Sequence, residues 1–339
     1  MLYLTLETME ININCDLGEK SKHHSNKYDP DLLEIVNSAN VACGYHAGDD
    51  ESMNQVVQIS KKNGVSIGAH PSFNDPENFG RQRMKLPPDE VRQLIIDQYE
   101  ILQKIAQDHG ENVTHIKPHG ALNNMACEDI DLATTLAKAI NEISKDLIYL
   151  VPTGSKMEEA AKKLNMRIAC EIFADRNYED DGNLVSRKKP HALITDPEEA
   201  KKHVLNMVKN QSLNCHSGKQ IPCEIDSVCI HGDNESSLST AKSIKENLLE
   251  NGLKLSLTGI EKEYILSRFA NYKNIVDVQK FLRALDVTTP GEFVDPEKDI
   301  HAIPQPLRMI KKVLEEDIVE NAWKKICKIY PDVEHTIYA

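Results

Sequence analysis

Four histidines share one kind of setting. His46, His70, His119 and His231 each follow a short apolar run and stand in a glycine-containing polar motif: VACGYHAGD, VSIGAHPSF, HIKPHGALN and VCIHGD. Carboxylates come from two further places. Asn14, Asp16 and Glu19 follow the apolar run INI, and Glu171, Asp175 and Arg176 belong to RIACEIFADR. Imidazole and carboxylate together can act as general acids and bases, or can bind a divalent metal. Nothing has the fixed spacing of an H-E-x-x-H site, so both chemistries stay open. The candidate catalytic groups are Asp16, His46, His70 and His119, and a directly bound metal, if there is one, would draw on the same four.

The candidate substrate-binding groups are Asn14, Glu19, Lys117, Asp175, Arg176 and His231. Lys117 falls inside a strand pattern beside Pro118 and His119, where a charged side chain needs a buried partner or a ligand. Arginine at a site mouth suits carboxylate or phosphate oxygens through its bidentate fork, though Arg176 and Arg81 could equally be structural. The glycines near the histidines, Gly44, Gly48, Gly68, Gly120 and Gly232, would let backbone approach a ligand closely. Cys43, three residues before His46, could be a thiolate nucleophile, but a packed strand-end cysteine is the simpler reading. His23, His24, His109, His203, His216, His301 and His335 sit in polar or helical surroundings that predict surface positions.

One site assembled from so many strand ends requires strands that point the same way. Strand patterns over residues 11–14, 39–42, 65–69, 115–117, 148–151, 168–173, 228–230 and 254–257 alternate with helical patterns over 31–37, 50–63, 89–109, 129–144, 155–164, 197–210 and 236–251. Alternation of this kind predicts a parallel sheet with crossover helices, and seven or eight strands suit a closed barrel with its chemistry at the C-terminal face. Residues 174–195 form a polar connection too long for an ordinary loop, which predicts a lid or binding loop. Residues 211–225 read as a surface excursion. The alternation stops after Gly259, so residues 9–258 are expected to form the barrel. Residues 259–339, with helical periodicity over 263–285 and 307–328, would be a helical extension of unknown role.

A formal net charge of −13 over 339 residues argues against a nucleic-acid partner. No apolar run approaches the ~18 residues that span a bilayer, and the N-terminus lacks the pattern of a signal peptide, so neither membrane association nor export is expected and the location should be cytoplasmic. The eight cysteines include no C-x-x-C pair, as expected of reduced, buried thiols. Ser217-Gly218-Lys219 is followed by Gln220, and Leu213 stands where a P-loop has its first glycine, so no Walker-type ATP site is present. Nor is there a G-x-S-x-G elbow.

The strings NCDLGE, NSANVACGYHAGD, GVSIGAHPSFNDPENFGR, IKPHGALNN, EIFADRNYEDDGNLVSR and CIHGD, in this order, closely resemble the LamB/YcsF family over residues 9–258. The resemblance implies an α/β fold, a seven-stranded (β/α) barrel of the glycoside hydrolase and deacetylase type. It also implies a role as one component of an enzyme that opens 5-oxo-L-proline to L-glutamate, with two other subunits as partners. ATP would be the co-substrate, with magnesium supplied through the partners. Asp16 or a nearby histidine would then be the base, His70 and His119 acid or stabiliser, and Arg176 or Lys117 the anchor of the substrate carboxylate or transferred phosphate. Asn123, Tyr45 and His191 depart from the family pattern, which usually has tyrosine, phenylalanine and glycine at those positions. Two other readings share these residues: a metal-dependent amidohydrolase or deacetylase acting alone, and a subunit that binds a lactam without turning it over.

Overall fold

In a computed structural model of the chain, residues 10–22, 24–231 and 235–255 are described. Seven parallel strands close into a ring: β1 (Glu10–Leu17), β2 (Ser38–Ala42), β3 (Ser66–His70), β4 (His115–Ile116), β5 (Ile148–Pro152), β6 (Ile168–Phe173) and β9 (Ser227–His231). β1 pairs with β2 on one side and with β9 on the other, which leaves the ring without an edge. The fold is therefore the α/β barrel that the alternation predicts. β10 (Lys254–Leu255) pairs with Glu10 and Ile11, below the point where β9 joins β1, so the eighth strand adds to the ring rather than completing it.

Helices lie between the strands: α1 (Asp29–Leu32), α2 (Asp50–Asn63), α3 (Pro88–Asp108), α4 (Gly120–Glu128), α5 (Ile130–Ile143), α6 (Lys156–Lys163), α7 (Pro197–Asn210) and α8 (Glu235–Glu250). α3 begins at the proline pair and buries Val91, Leu94, Ile95, Leu102 and Ile105 along one stripe. The helix predicted over 129–144 begins one residue later as α5, because Asp129 caps it by accepting from the Asp131 and Leu132 amides. α4 precedes it directly and is absent from the helical pattern of the sequence. The helix predicted over 31–37 is a single turn, α1. Residues 211–225 carry a small antiparallel hairpin, β7 (Ser212–Asn214) and β8 (Gln220–Pro222). Residues 174–195 contain no helix or strand, only isolated bridges such as Arg176 with Leu193. No helix among the described residues is long and apolar enough to cross a membrane. The helices predicted over 263–285 and 307–328 lie outside the described residues.

Strand period two divides β1 between two environments. Ile11, Ile13, Cys15 and Leu17 join the apolar core, whereas Asn12, Asn14 and Asp16 enter a polar network that fills the ring. Asn12 donates to Ser38 Oγ at 2.9 Å and accepts from Ser227 Oγ at 2.7 Å. One layer up, Asn14 donates to Ser227 Oγ and Glu171 Oε2, and its Oδ1 accepts from Asn40 and Lys117. Asn40 also donates to Asp16 Oδ1 at 2.8 Å, and His115 reaches Asn40 Oδ1 at 3.1 Å. An unmade buried hydrogen bond costs about 1–3 kcal/mol, so a polar interior depends on partners of this kind for nearly all of its groups. Gly68 belongs to the same layer: a Cβ there would stand 2.1 Å from His115 Nε2, so the missing side chain is the space the imidazole occupies.

Candidate active site

Above this network the C-terminal strand ends deliver the charged groups. Asp16 ends the inward row of β1, and Glu19 follows two residues after the strand. His46 stands in the loop after β2, His70 ends β3, and His119 is the residue from which α4 starts. Asp175 follows β6 and His231 ends β9. Apart from His231 and Asp175, which are partly exposed, all of these side chains are buried.

Two subsites share Asp16. On one side Glu19, His46, His70 and His119 converge. Glu19 Oε1 lies 3.3 Å from His46 Nε2, 3.3 Å from His119 Nδ1 and 4.0 Å from His70 Nε2, while His70 Nε2 and His119 Nδ1 are 3.0 Å apart. The His46 and His119 rings stack, with centroids 3.9 Å apart, and Phe79 packs edge-on against both. On the other side His231 bonds through Nδ1 to both Asp175 oxygens, at 2.8 and 3.0 Å, and turns Nε2 toward Asp16 Oδ2 at 3.9 Å. Asp16 Oδ2 is also 3.3 Å from His70 Nε2.

Each imidazole is held by a partner on its far side. His70 Nδ1 bonds to the Lys117 carbonyl at 2.6 Å and His119 Nε2 to the Phe79 carbonyl at 3.0 Å. His46 Nδ1 meets Ser72 Oγ at 2.9 Å. Ser72 is itself fixed from the helical layer, where Gln98, a polar residue in the apolar stripe of α3, bonds both its amide and its carbonyl. The Phe79 carbonyl is aimed by a strained turn. Phe79 has φ +56°, in the left-handed region that aromatic residues rarely enter, and Asp75 braces the turn by accepting from Asn78 and the Gln82 amide. Gly80 follows because a Cβ there would stand 2.9 Å from His46 Cβ.

Burial and neighbouring charge set the protonation states. Burial alone would raise the Asp16 carboxyl, but His70 and the Lys117 ammonium hold it well below the usual carboxylate range. Lys117 is only 2 % exposed. Burial opposes its charge, yet Asp16 at 2.8 Å, Cys229 at 3.0 Å and Glu171 at 3.3 Å push it well above the usual lysine value. Burial raises the Glu171 carboxyl, whose Oε1 has no hydrogen-bond partner among the described residues. Burial, with neighbouring imidazoles, lowers His46 and His119 well below the ordinary histidine value. Burial also opposes charge on His231, but Asp175, by charge and hydrogen bond, raises it above that value.

These positions sort the expected site residues. Asp16, Glu19, His46, His70, His119, Asp175 and His231 meet at one face of the barrel. Asn14 and Lys117 lie in the network beneath, where Asn14 is saturated and Lys117 has buried partners. Arg176 is turned into the 174–195 loop, donating to the Ala192 and Val185 carbonyls, and burial lowers it to about 10. Cys43 is fully buried, donates to the Val41 carbonyl at 3.1 Å, and is pushed up to about 12, as a packed thiol rather than a nucleophile. Gly68 and Gly120 make room for protein rather than ligand: a Cβ at Gly120 would stand 2.5 Å from the Gly80 carbonyl oxygen. Gly232 is outside the described residues. His24, expected at the surface, is half-buried and stacks on Phe79 with centroids 6.2 Å apart.

Comparison with known proteins places this architecture. The LamB/YcsF family model matches residues 11–262. The chain belongs to the LamB/YcsF family. It is 38 % identical over 251 residues to a protein from Staphylococcus carnosus that is named as a 5-oxoprolinase subunit, covering 74 % of this chain and all of that one. A protein of the same name from Clostridium beijerinckii is 41 % identical over 246 residues, covering 73 % of this chain and 96 % of that one. Among solved structures, the lactam utilization protein from Thermus thermophilus superposes with a TM-score of 0.68 at 34 % identity, covering 73 % of this chain and 99 % of that one.

The departures from the LamB/YcsF pattern acquire physical meaning here. His191, where the family pattern has glycine, adopts φ +64°, a conformation glycine enters without strain, and it stacks on His216. Tyr45 turns its hydroxyl toward Asp97 at 3.5 Å. Asn123 is buried in α4 with its Oδ1 unpartnered among the described residues.

Proposed function

We propose that this chain is the lactam-handling component of an ATP-dependent 5-oxoprolinase, working with two partner subunits to convert 5-oxo-L-proline to L-glutamate. One observation carries the reading: His231, bonded through Nδ1 to Asp175, turns Nε2 to 3.9 Å from Asp16 Oδ2 at the mouth of a barrel whose near-full-length relatives are named as subunits of that enzyme. A five-membered lactam is an unactivated amide with a poor leaving nitrogen. ATP, bound in a partner, phosphorylates the lactam oxygen and opens the carbonyl carbon to water. Asp16 orients that water and takes its proton, and His231, charged through Asp175, protonates the ring nitrogen as the C–N bond breaks. The acyl phosphate left behind loses phosphate to a second water, so that one lactam, one ATP and two waters give glutamate, ADP and phosphate.

The division of labour follows from the lack of any recognisable phosphate-cradling glycine loop in the sequence. The test is glutamate and ADP release from 5-oxoproline and ATP, with and without the partner subunits. Turnover is expected only with partners. Robust turnover by the purified chain alone, or none with partners present, overturns the reading.

A further inference from the structure

We propose that Glu19, His46, His70 and His119 form a binding site for one divalent transition-metal ion of the zinc type. Each of the four residues can offer one ligand atom so that the four lie within 4.8 Å of one another, and the contacts at the cluster point to Glu19 Oε1, His46 Nε2, His70 Nε2 and His119 Nδ1. A tetrahedral zinc site with bonds of about 2.0–2.2 Å has edges of about 3.3–3.6 Å. The separations of 3.0, 3.3, 3.3 and 4.0 Å around this cluster bracket that value.

The hydrogen-bond directions carry the argument further than proximity. A carbonyl can only accept, so His70 must carry hydrogen on Nδ1 to donate to Lys117 and His119 must carry it on Nε2 to donate to Phe79. Ser72 gives its own hydroxyl hydrogen to the Phe73 carbonyl at 2.8 Å, so it accepts from His46 Nδ1. In their neutral forms the three rings each turn a lone pair inward; on His70 that nitrogen also lies 3.3 Å from Asp16 Oδ2, so it carries a proton whenever no metal ion is bound there. Three lone pairs and a carboxylate oxygen thus converge in a buried space, with two of the nitrogens only 3.0 Å apart. That arrangement calls for a positive centre, supplied either by a proton on His70 Nε2 or by a metal ion, and it is the donor set a metal ion requires. Outer N–H groups tied to carbonyls or a hydroxyl are how metal-binding histidines are oriented. The mixture of three imidazoles and one carboxylate suits zinc and its neighbours and not magnesium or calcium, which prefer oxygen.

The neighbouring group of Asp16, Cys229 and His231 also has ligand atoms within reach of one another, but it already holds a cation. The Lys117 ammonium lies 2.8 Å from Asp16 Oδ1 and 3.0 Å from Cys229 Sγ.

The inference concerns binding and is independent of the proposed activity. Full-length protein, stripped with a chelator and dialysed, is titrated with zinc against a chromophoric competitor, and separately with cobalt while the visible d–d bands are recorded. One ion per chain is expected, with cobalt bands of a four- or five-coordinate site. Ser72→Ala, which removes only an outer partner, should weaken binding about 10–100-fold. Glu19→Gln and His119→Ala should weaken it more, and His109→Ala, away from the cluster, should leave it unchanged. Binding weaker than micromolar in the unaltered chain, a hexa-aqua-like cobalt spectrum, or stoichiometric binding that survives Glu19→Gln with His119→Ala would overturn the proposal. The first two outcomes do not depend on any variant folding.

Discussion

Replacing Lys117 with methionine removes the cation from between two buried carboxylates while keeping the length of the side chain and the backbone carbonyl that orients His70. The ammonium is 2.8 Å from Asp16 Oδ1 and 3.3 Å from Glu171 Oε2, all nearly inaccessible to water. Breaking a buried ion pair from one side costs about 3–5 kcal/mol, because the surviving charge has neither water nor counter-ion. At about 2–4 °C per kcal/mol for a barrel of this size, the melting temperature should fall by roughly 6–20 °C near neutral pH. The pH dependence between 8 and 5, where the depressed Asp16 carboxyl contributes no slope in the unaltered chain, should also change. In the unaltered chain the depressed Asp16 carboxyl contributes stability that is present above its unfolded value and lost as pH falls through the folded value. Without Lys117, the buried carboxyls hold protons more tightly folded than unfolded, so the variant should gain stability as pH falls from 8 toward 5. Thermal melts followed by circular dichroism across that range test both parts, and adding Glu171→Gln should recover part of the loss. A loss below about 1 kcal/mol, or parallel pH profiles for the two proteins, would refute the idea that Lys117 is held by charge.

Asp175→Asn should lower the pKa of His231, and since a general acid must be protonated, the alkaline limb of the pH–rate profile of the assembled enzyme should move to lower pH. The accompanying loss in kcat should be about 10²–10⁴-fold, and an unmoved limb would remove His231 from the acid role. Gly68→Ala places a methyl inside the His115 ring and should cost about 1–3 kcal/mol or more by denaturant unfolding. Adding His115→Ala should relieve that clash, and an additive double variant would contradict the shared space. A chain ending at Gly259 should fold and stay soluble, because the seven ring strands and their helices end before that point. Its failure to express in soluble form would tie the remaining residues to the barrel core.

The strands and the convergence of their ends were legible because short apolar, β-branched runs that alternate with helical patterns point to a buried parallel sheet. Asp16, His46, His70 and His119 were likewise visible from their place after apolar runs. His115 was not singled out, since nothing local marks an imidazole that fills the ring, although Gly68 in the middle of a strand was the available signal. Gln98 carries no motif at all, and Ser72 and Phe79 lie in a family string without any sign in it that they face the histidines. They matter through which atoms they present to His46 and His119, and that follows from tertiary packing. α4 was missed because its first turn coincides with the KPHGALN motif, where glycine after histidine suggests a loop. Arg176 is a different case: the sequence leaves a site cation and a structural one equally open, and in the fold its Nε and Nη2 donate to carbonyls of its own loop.

The closed ring has a consequence for how the chain reaches its native state. Asn14 finds Ser227 across 213 residues of sequence and Glu171 across 157, and Asn12 meets Ser227 across 215. Ser38 and Asn40 lie only 26 residues from Asn12 and Asn14, but Ser227 is reached only when nearly the whole barrel has been synthesised, so an emerging chain carries a polar network that is incomplete at each of these layers. A partial barrel that buried them early would be penalised at every layer, which disfavours compact half-rings as resting points. Closure of the last strand against the first is then the slow, cooperative event, with the entropy of long-range contact set against a whole ladder of bonds made at once. The polar core acts as a check that the ring is complete before the site at its mouth exists.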